Sequence, residues 1–193
     1  MYQAEARRKE EKIRVTNLDD YLASLELKAT ISPVKNDQIA RVAQLTQKTN
    51  QFNLTTRRYS EKEITIFAND QRYTIYTLSV MDKYGNSGLT GVLIAKNENG
   101  KGVIDTLLLS CRILGRKLEI AFVSYCIKKL EEQWDITQWN AEYIPTKKNE
   151  QVIDFWDRLG FTQAKNVTGR KSYFLNKGTL KKEDVSFIEI IEG

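Results

Sequence analysis

The stretch Ile104-Asp105-Thr106-Leu107-Leu108-Leu109-Ser110-Cys111-Arg112-Ile113-Leu114-Gly115-Arg116-Lys117 decides how this chain is read. Val103 to Ser110 is an apolar run too short for a helix and bounded by turn residues, which predicts a strand. Beyond it, Leu118, Phe122, Cys126 and Leu130 form one i,i+4 stripe flanked by Val123 and Ile127, which predicts a helix from about Leu114 to Trp134. That helix is apolar on most sides and is expected to lie buried against a sheet. A strand that turns straight into a buried helix makes an anion site, because the first four N–H groups of the helix have no internal partner and the helix dipole favours negative charge there. Gly115 lets the backbone approach an anion without a Cβ in the way, and Arg112, Arg116 and Lys117 add positive charge. The competing reading is a plain helix start whose basic residues face water.

Working outward, Tyr73 to Met81 and Leu89 to Lys96 read as strands that join Val103 to Ser110 in a meander. Their turns are Asp82 to Gly88 and Asn97 to Gly100. Upstream, Asn17 caps a short helix from Leu18 to Leu25, and Leu27 to Val34 reads as a strand stopped by Pro33 and Asn36. Ile39, Val42, Ala43 and Thr46 lie on one face of a helix that runs out near Thr49. Gln51 to Tyr59 has neither period and reads as a loop, and the Ser60…Glu63 capping box opens a helix to about Asn69. Downstream come a strand, Thr137 to Ile144, and an amphipathic helix from Asn149 to Gly160. Strands at Phe161 to Ala164 and Ser172 to Leu175 follow, and Phe187 to Ile191 has the composition of an edge strand. The first 14 residues, with seven Lys, Arg or Glu after Ala6, predict a helix unable to bury a core. The expected organisation is a helical linker over 1–26, a domain over 27–180 and a tail over 181–193.

Composition narrows the chemistry. A chain of 193 residues buries a full core without metals or staples. Histidine is absent, which excludes Ser-His and Cys-His dyads and histidine metal sites. Cys111 and Cys126 cannot make a zinc site, and such sparse cysteine suggests a reducing, cytoplasmic setting. No metal is expected. The net charge of +5 is mild and dispersed, and no nucleic-acid motif accompanies it. That dispersal argues against a nucleic acid as partner, and since no 18-residue apolar run exists, no membrane is expected as partner either.

The order of elements, with Arg112-x-x-Gly115-x-Lys117 and then Asn149…Phe155-Trp156-Asp157-Arg158-Leu159-Gly160-Phe161, resembles the GNAT acyltransferases. The first motif resembles their pyrophosphate loop, the second a downstream signature of an asparagine and an aromatic pair before Gly-Phe. The resemblance implies an α+β, three-layer α/β/α fold with a mixed central sheet. Thr49 to Tyr59, Ser110 to Arg116 and Tyr143-Ile144-Pro145-Thr146 with Asn149 are more narrowly similar to the C-terminal region of FkbH-like proteins, over residues 1–176. That likeness implies acyl-CoA or a phosphopantetheine arm as cofactor, and as partners an acyl carrier protein and an upstream HAD-type phosphatase domain. It also implies transfer of a glyceryl-type acyl group in polyketide or polysaccharide biosynthesis. The phosphatase signature is absent, which points to a domain of a longer protein. Two departures stand out: Lys117 replaces a usual glycine, and Trp156 stands where many GNAT enzymes have a tyrosine acid, although indole has no proton to transfer.

These readings assign roles. Cys111, beside Arg112 and a helix N-terminus, is the candidate acyl-accepting nucleophile, against the commoner fate of a small buried thiol. Cys126, on the apolar stripe, is a core residue. Asp105 is the candidate general base, or equally a strand-end carboxylate facing solvent. Arg112, Leu114, Gly115, Arg116, Lys117 and Asn149 are the candidate cofactor-binding residues. Arg57 and Arg58 could pair with a substrate anion or be surface arginines, and Asn53 and Thr55 could bond a polar acyl group or shape their loop. The rival function is a non-catalytic module that docks a carrier protein and presents its thiol to the upstream domain.

Overall fold

The structure, a computed structural model, describes residues 6–8 and 17–193. The helix expected over the first 14 residues lies outside these, save for three helical residues that include Arg8.

The chain forms α1 (Leu18–Ser24), β1 (Leu27–Pro33), α2 (Ile39–Lys48), β2 (Phe52–Asn53), α3 (Glu61–Asn69), β3 (Tyr73–Asp82), β4 (Gly85–Glu98) and β5 (Lys101–Leu109). It continues through α4 (Leu118–Gln133), β6 (Gln138–Tyr143), α5 (Phe155–Arg158), β7 (Thr162–Val167), β8 (Arg170–Asn176) and β9 (Ile188–Glu192). Local signals set several of these boundaries. The Asn17 side chain accepts the Asp19 N–H at 3.1 Å at the head of α1. At α3, Ser60 Oγ accepts the Glu63 N–H at 3.3 Å while the Glu63 carboxylate accepts the Ser60 N–H at 2.8 Å. The β4–β5 turn places Asn99 and Gly100 at φ 53° and 74°, the left-handed pair that a two-residue hairpin loop needs.

The strands order as β7-β8-β6-β5-β4-β3-β1-β9, with β2 added on β5. The sheet is mixed: β5–β6 and β1–β9 are parallel, the other neighbours antiparallel. Helices α2 and α3 cover one face through Val42, Ala43, Leu45 and Ile64 on Ile75, Val92, Ile94 and Leu108. The larger core lies on the other face, where α1, α4 and α5 pack on the sheet around Leu22, Phe122, Leu130, Trp139, Phe155 and Trp156. The architecture is therefore α+β in three layers, as the resemblance implied.

Three expectations need correction. Helix α4 starts at Leu118, four residues later than the apolar spacing suggests. Cys111–Ile113 is a single tight turn, Leu114 is extended, and Gly115 and Lys117 take positive φ, which the helix cannot contain. The helix expected from Asn149 to Gly160 breaks into a turn over Glu150–Val152 and the four-residue α5. The loop Gln51 to Tyr59 contains β2, which pairs with Leu108 and Leu109 of β5.

At the C-terminus, Leu180, Val185 and Phe187 pack on the larger core, and β9 pairs with β1 from Leu27 to Ile31, the edge strand expected from the composition of Phe187 to Ile191. The tail also meets α4 through polar contacts: the Gly178 amide donates to Glu131 at 3.1 Å and Lys129 pairs with Glu192 at 2.8 Å.

Candidate functional site

β5 delivers the chain to the turn that the sequence singles out. A Cβ built at Gly115, where φ is 77°, meets nothing within 4 Å, so the backbone there is open outward. Lys117 caps α4 with φ 56° and ψ 13° and gives no side-chain cap, so the helix geometry leaves the amides of its first turn without intrahelical acceptors. Leu114 packs against the core.

The side chains of the turn do not gather round those amides. Arg116 is 8% exposed and turns inward. It donates to Asp82 at 3.1 Å and to the Arg112 carbonyl at 2.9 Å, while Arg8 donates to the same carboxylate at 2.7 and 2.8 Å. The Lys117 ammonium lies 3.7 Å from Asp19 and over the Phe187 ring. The expectation that Arg116 offers its charge to a ligand is therefore corrected, while Lys117 stays partly exposed beside an exposed Asp19. Asp82, with its side chain 1% exposed, attracts Arg116, because a buried carboxylate must be paired.

Cys111 is exposed and Cys126 buried. Burial pushes the Cys126 thiol well above its ordinary range. Cys111 and Ser110 form one wall of a cleft of about 700 Å³, whose cations are Arg41 and Lys48 of α2 and Lys147 and Lys148 of the loop after β6. Arg112 donates to Ser110 at 3.3 Å. Burial, and then the positive charge of Arg112, hold Arg41 below the usual arginine range.

Asp105 lies in a different setting. Its carboxylate accepts from Arg57, from the Tyr59 hydroxyl at 2.7 Å and from the Thr106 hydroxyl at 2.8 Å. Arg57 donates its other nitrogen to Glu142 at 2.8 Å, and Glu142 accepts from Arg170 at 2.7 Å. Burial and the bond to Asp105 push the Tyr59 phenol far above its ordinary value. Asp105 is thus neither unpaired nor part of the Cys111 cleft, which corrects its pairing with Cys111 as base. Arg57 borders a smaller cleft of about 340 Å³ with Asn140, Glu142, Ser172 and Phe174 on the sheet face that α2 and α3 leave open. Arg58 does not accompany it. It bonds the carbonyls of Thr46 and Thr49 and the side chain of Asn50, tying the end of α2 to the following loop.

Between these two regions the chain plugs its own sheet. The β5–β6 ladder runs only from Lys101–Gln138 to Ile104–Ala141. Beyond it, the Leu54 amide donates to Leu107 O at 3.1 Å and the Ile144 amide donates to Leu54 O at 2.8 Å, so Leu54 bridges the parting strands. The Thr55 hydroxyl and Arg57 both donate to Asp105 O at 3.0 Å. Asn53 is buried, donates to Thr49 O at 3.2 Å and accepts from the Thr56 amide at 2.8 Å. Asn53 and Thr55 therefore shape the loop.

Asn149, fully buried, holds this strap in place. Its amide donates to Asn53 O at 2.9 Å and Ile144 O at 3.0 Å, and its carbonyl accepts from the Thr146 N–H and hydroxyl and from Tyr143. Its assignment to the cofactor is corrected: no polar valence remains to point outward. The Trp156 indole donates to Glu142 O at 3.0 Å and serves packing.

The sequence reading missed Arg41, Lys48, Lys147, Lys148, Tyr59 and Glu142. Arg41 and Lys48 are seven residues apart on one helix face, a readable signal. The distance in sequence from Lys48 to Lys147 hid their convergence. Among the described residues, no group of acidic or cysteine side chains could hold a metal, and no helix is long and apolar enough to cross a membrane.

No family model matches this chain, and no curated protein sequence matches it. Solved structures do. The ribosomal-protein-S18-alanine N-acetyltransferase from Escherichia coli superimposes with a TM-score of 0.58 at 16% identity, covering 81% of this chain and 98% of that one. A putative GNAT-family acetyltransferase from Desulfovibrio desulfuricans gives 0.61 at 11% identity, covering 78% and 99%. NAA60 from Arabidopsis thaliana, in complex with acetyl-CoA, gives 0.59 at 13% identity, covering 77% and 98%. At these identities the likeness establishes the fold: the chain has the GNAT fold.

Proposed function

We propose that this domain accepts an acyl group from a phosphopantetheine thioester, presented as acyl-CoA or on an acyl carrier protein, onto Cys111. The observation that carries the reading is the position of Cys111: an exposed thiol at the end of β5, one turn before α4, on the wall of a basic cleft. The step balances simply. The Cys111 sulfur attacks the thioester carbonyl carbon, the bond from that carbon to the pantetheine sulfur breaks, and the proton lost by Cys111 ends on the pantetheine thiol. A second thiol or a hydroxyl takes the acyl group and regenerates Cys111. The acetyl-CoA held by one structural neighbour supports an acyl-CoA-type ligand. The glyceryl-type acyl group, the carrier protein and a cooperating HAD-type domain rest on the FkbH-like resemblance.

Intact mass after incubation with acyl-CoA or acylated carrier protein tests the reading. One acyl adduct is expected, lost in Cys111→Ser and kept in Cys126→Ser. An adduct that survives Cys111→Ser sinks the assignment.

The strap favours a second reading, a docking module without turnover. Parting strands leave backbone groups that an extended arm could pair with, and here Leu54, Thr55 and Arg57 take those of β5. Carrier-protein binding with no adduct, and no turnover by the isolated domain, is its signature.

A further inference from the structure

Of the cations expected to hold an anion at the turn before α4, Arg116 is drawn away by Asp82 and Lys117 lies near Asp19 and the Phe187 ring, while other cations line the cleft beside Cys111. Among the described residues, four cationic side chains, Arg41, Lys48, Lys147 and Lys148, line that cleft, and no carboxylate lines it. Lys48 has a local reason to be there, since it complements the dipole at the C-terminal end of α2. Arg41 is tied to the Gln44 side chain and, at 3.5 Å, to the Leu89 carbonyl, neutral partners that leave its charge uncompensated, and the Lys147-Lys148 pair comes from the loop after β6. They come from elements a hundred residues apart in sequence, and Arg41 sits close enough to Arg112 to feel its charge. Converging like charges in a half-enclosed site repel one another, and an anion relieves that repulsion. Ser110 and Gln51 line the same cleft, and the Ser110 hydroxyl, which accepts from Arg112, and the Gln51 amide carry N–H and O–H donors suited to its oxygens.

We propose that the cleft formed by Arg41, Lys48, Lys147 and Lys148 binds a phosphate monoester or diester, seated within reach of the Cys111 thiol. Guanidinium and ammonium groups on opposite walls match phosphate oxygens presented in different directions. The phosphate belongs either to a pantetheine arm or to the acyl group itself. This assignment rests on the acyl-accepting reading for the identity of the phosphate carrier; the phosphate site stands on the cleft alone.

The test is calorimetric titration of the whole chain and of Lys147→Glu/Lys148→Glu, two exposed changes that leave the core untouched. The probes are 4′-phosphopantetheine, pantetheine, 3-phosphoglycerate and glycerate. The expected result is that a phosphorylated probe binds, its unphosphorylated partner binds about tenfold or more weakly, and the charge reversal removes the difference. Preference for phosphopantetheine places the phosphate on the arm, and preference for phosphoglycerate places it on the acyl group. Equal binding of phosphorylated and unphosphorylated probes, no binding of any probe, or binding unchanged by the double reversal overturns the proposal. The mass adduct on Cys111 reports separately. Phosphate-dependent binding without an adduct retains this site and rejects the acyl-accepting role. An adduct on Cys111 that forms equally well in the double variant and from unphosphorylated thioesters does the reverse.

Discussion

Lys117 holds a left-handed backbone conformation at the head of α4. A side chain there costs about 1–2 kcal/mol, which glycine avoids. Lys117→Gly is expected to raise stability by about 0.5–1 kcal/mol, once the extra freedom that glycine gives the unfolded chain is subtracted. A urea unfolding midpoint checks it. A lower midpoint would mean that the contacts with Asp19 and Phe187 outweigh the strain, although an exposed pair at 3.7 Å contributes little. Asp82 is the opposite kind of residue. Burial alone raises its carboxyl pKa, but Arg8, the Tyr84 amide and Arg116 prevail and hold it below the ordinary value. A carboxylate depressed in the fold stabilises fully above its unfolded pKa, about 4, and that contribution disappears as pH falls below it. Asp82→Asn is expected to cost about 3 kcal/mol at neutral pH, because Arg8 and Arg116 are left facing a neutral group. It should also flatten the acid limb of the stability-pH curve. An unchanged limb would assign acid sensitivity to other carboxylates.

At the scale of elements, the strap from Phe52 to Arg57 replaces a stretch of β5–β6 ladder. Asn149 is a fully buried side-chain anchor for it, bonded to Asn53, Ile144, Thr146 and Tyr143. Removing a buried amide strands several donors and acceptors at once. Asn149→Ala is therefore expected to cost about 3 kcal/mol. Native-state hydrogen exchange should show faster exchange at the Leu54 and Ile144 amides, with α4 unaffected. Uniform acceleration along the chain would instead mean that the strap opens only with the whole fold. If the strap gates access for a thioester arm, this variant should also form the Cys111 adduct faster, a result that the docking reading does not produce.

For the whole molecule, the C-terminal tail closes the structure on two sides. Leu180, Val185 and Phe187 pack, partly buried, on the larger core, and Ile188 begins a strand parallel to β1. Ending the chain at Gly178 uncovers apolar area of that core and the backbone edge of β1. Each large apolar side chain buried by the tail contributes about 1.5–3 kcal/mol, so the truncated chain is expected to lose roughly 5 kcal/mol or more. It should also associate through the bared edge. Thermal unfolding and light scattering read these two effects. A monomeric truncated chain with an unchanged midpoint would show that the tail is an appendage.

The three-layer class was legible through the resemblance to GNAT acyltransferases; the order of the main helices and strands, β2 aside, the caps of α1 and α3 and the Asn99-Gly100 turn were legible in the residues themselves. These follow from periodicity and from hydrogen bonds made within a few residues. The sequence also located the strand-turn-helix at Cys111 and marked Cys126 as core. Tertiary structure decided where the charges went. Arg112, Arg116 and Lys117 are neighbours in sequence, yet Asp82 takes Arg116, because a buried carboxylate must find a cation whatever that cation's neighbours suggest. Asp105 was readable as a carboxylate near the site. Its engagement by Arg57 and Tyr59 depends on a loop some fifty residues upstream folding back on β5. Asn149 was readable as part of a motif, but only the strap beside it reveals that its hydrogen bonds turn inward. The basic cleft was invisible for the same reason. Its charges come from α2 and from the loop after β6, and only the packing of both around the end of β5 brings them together.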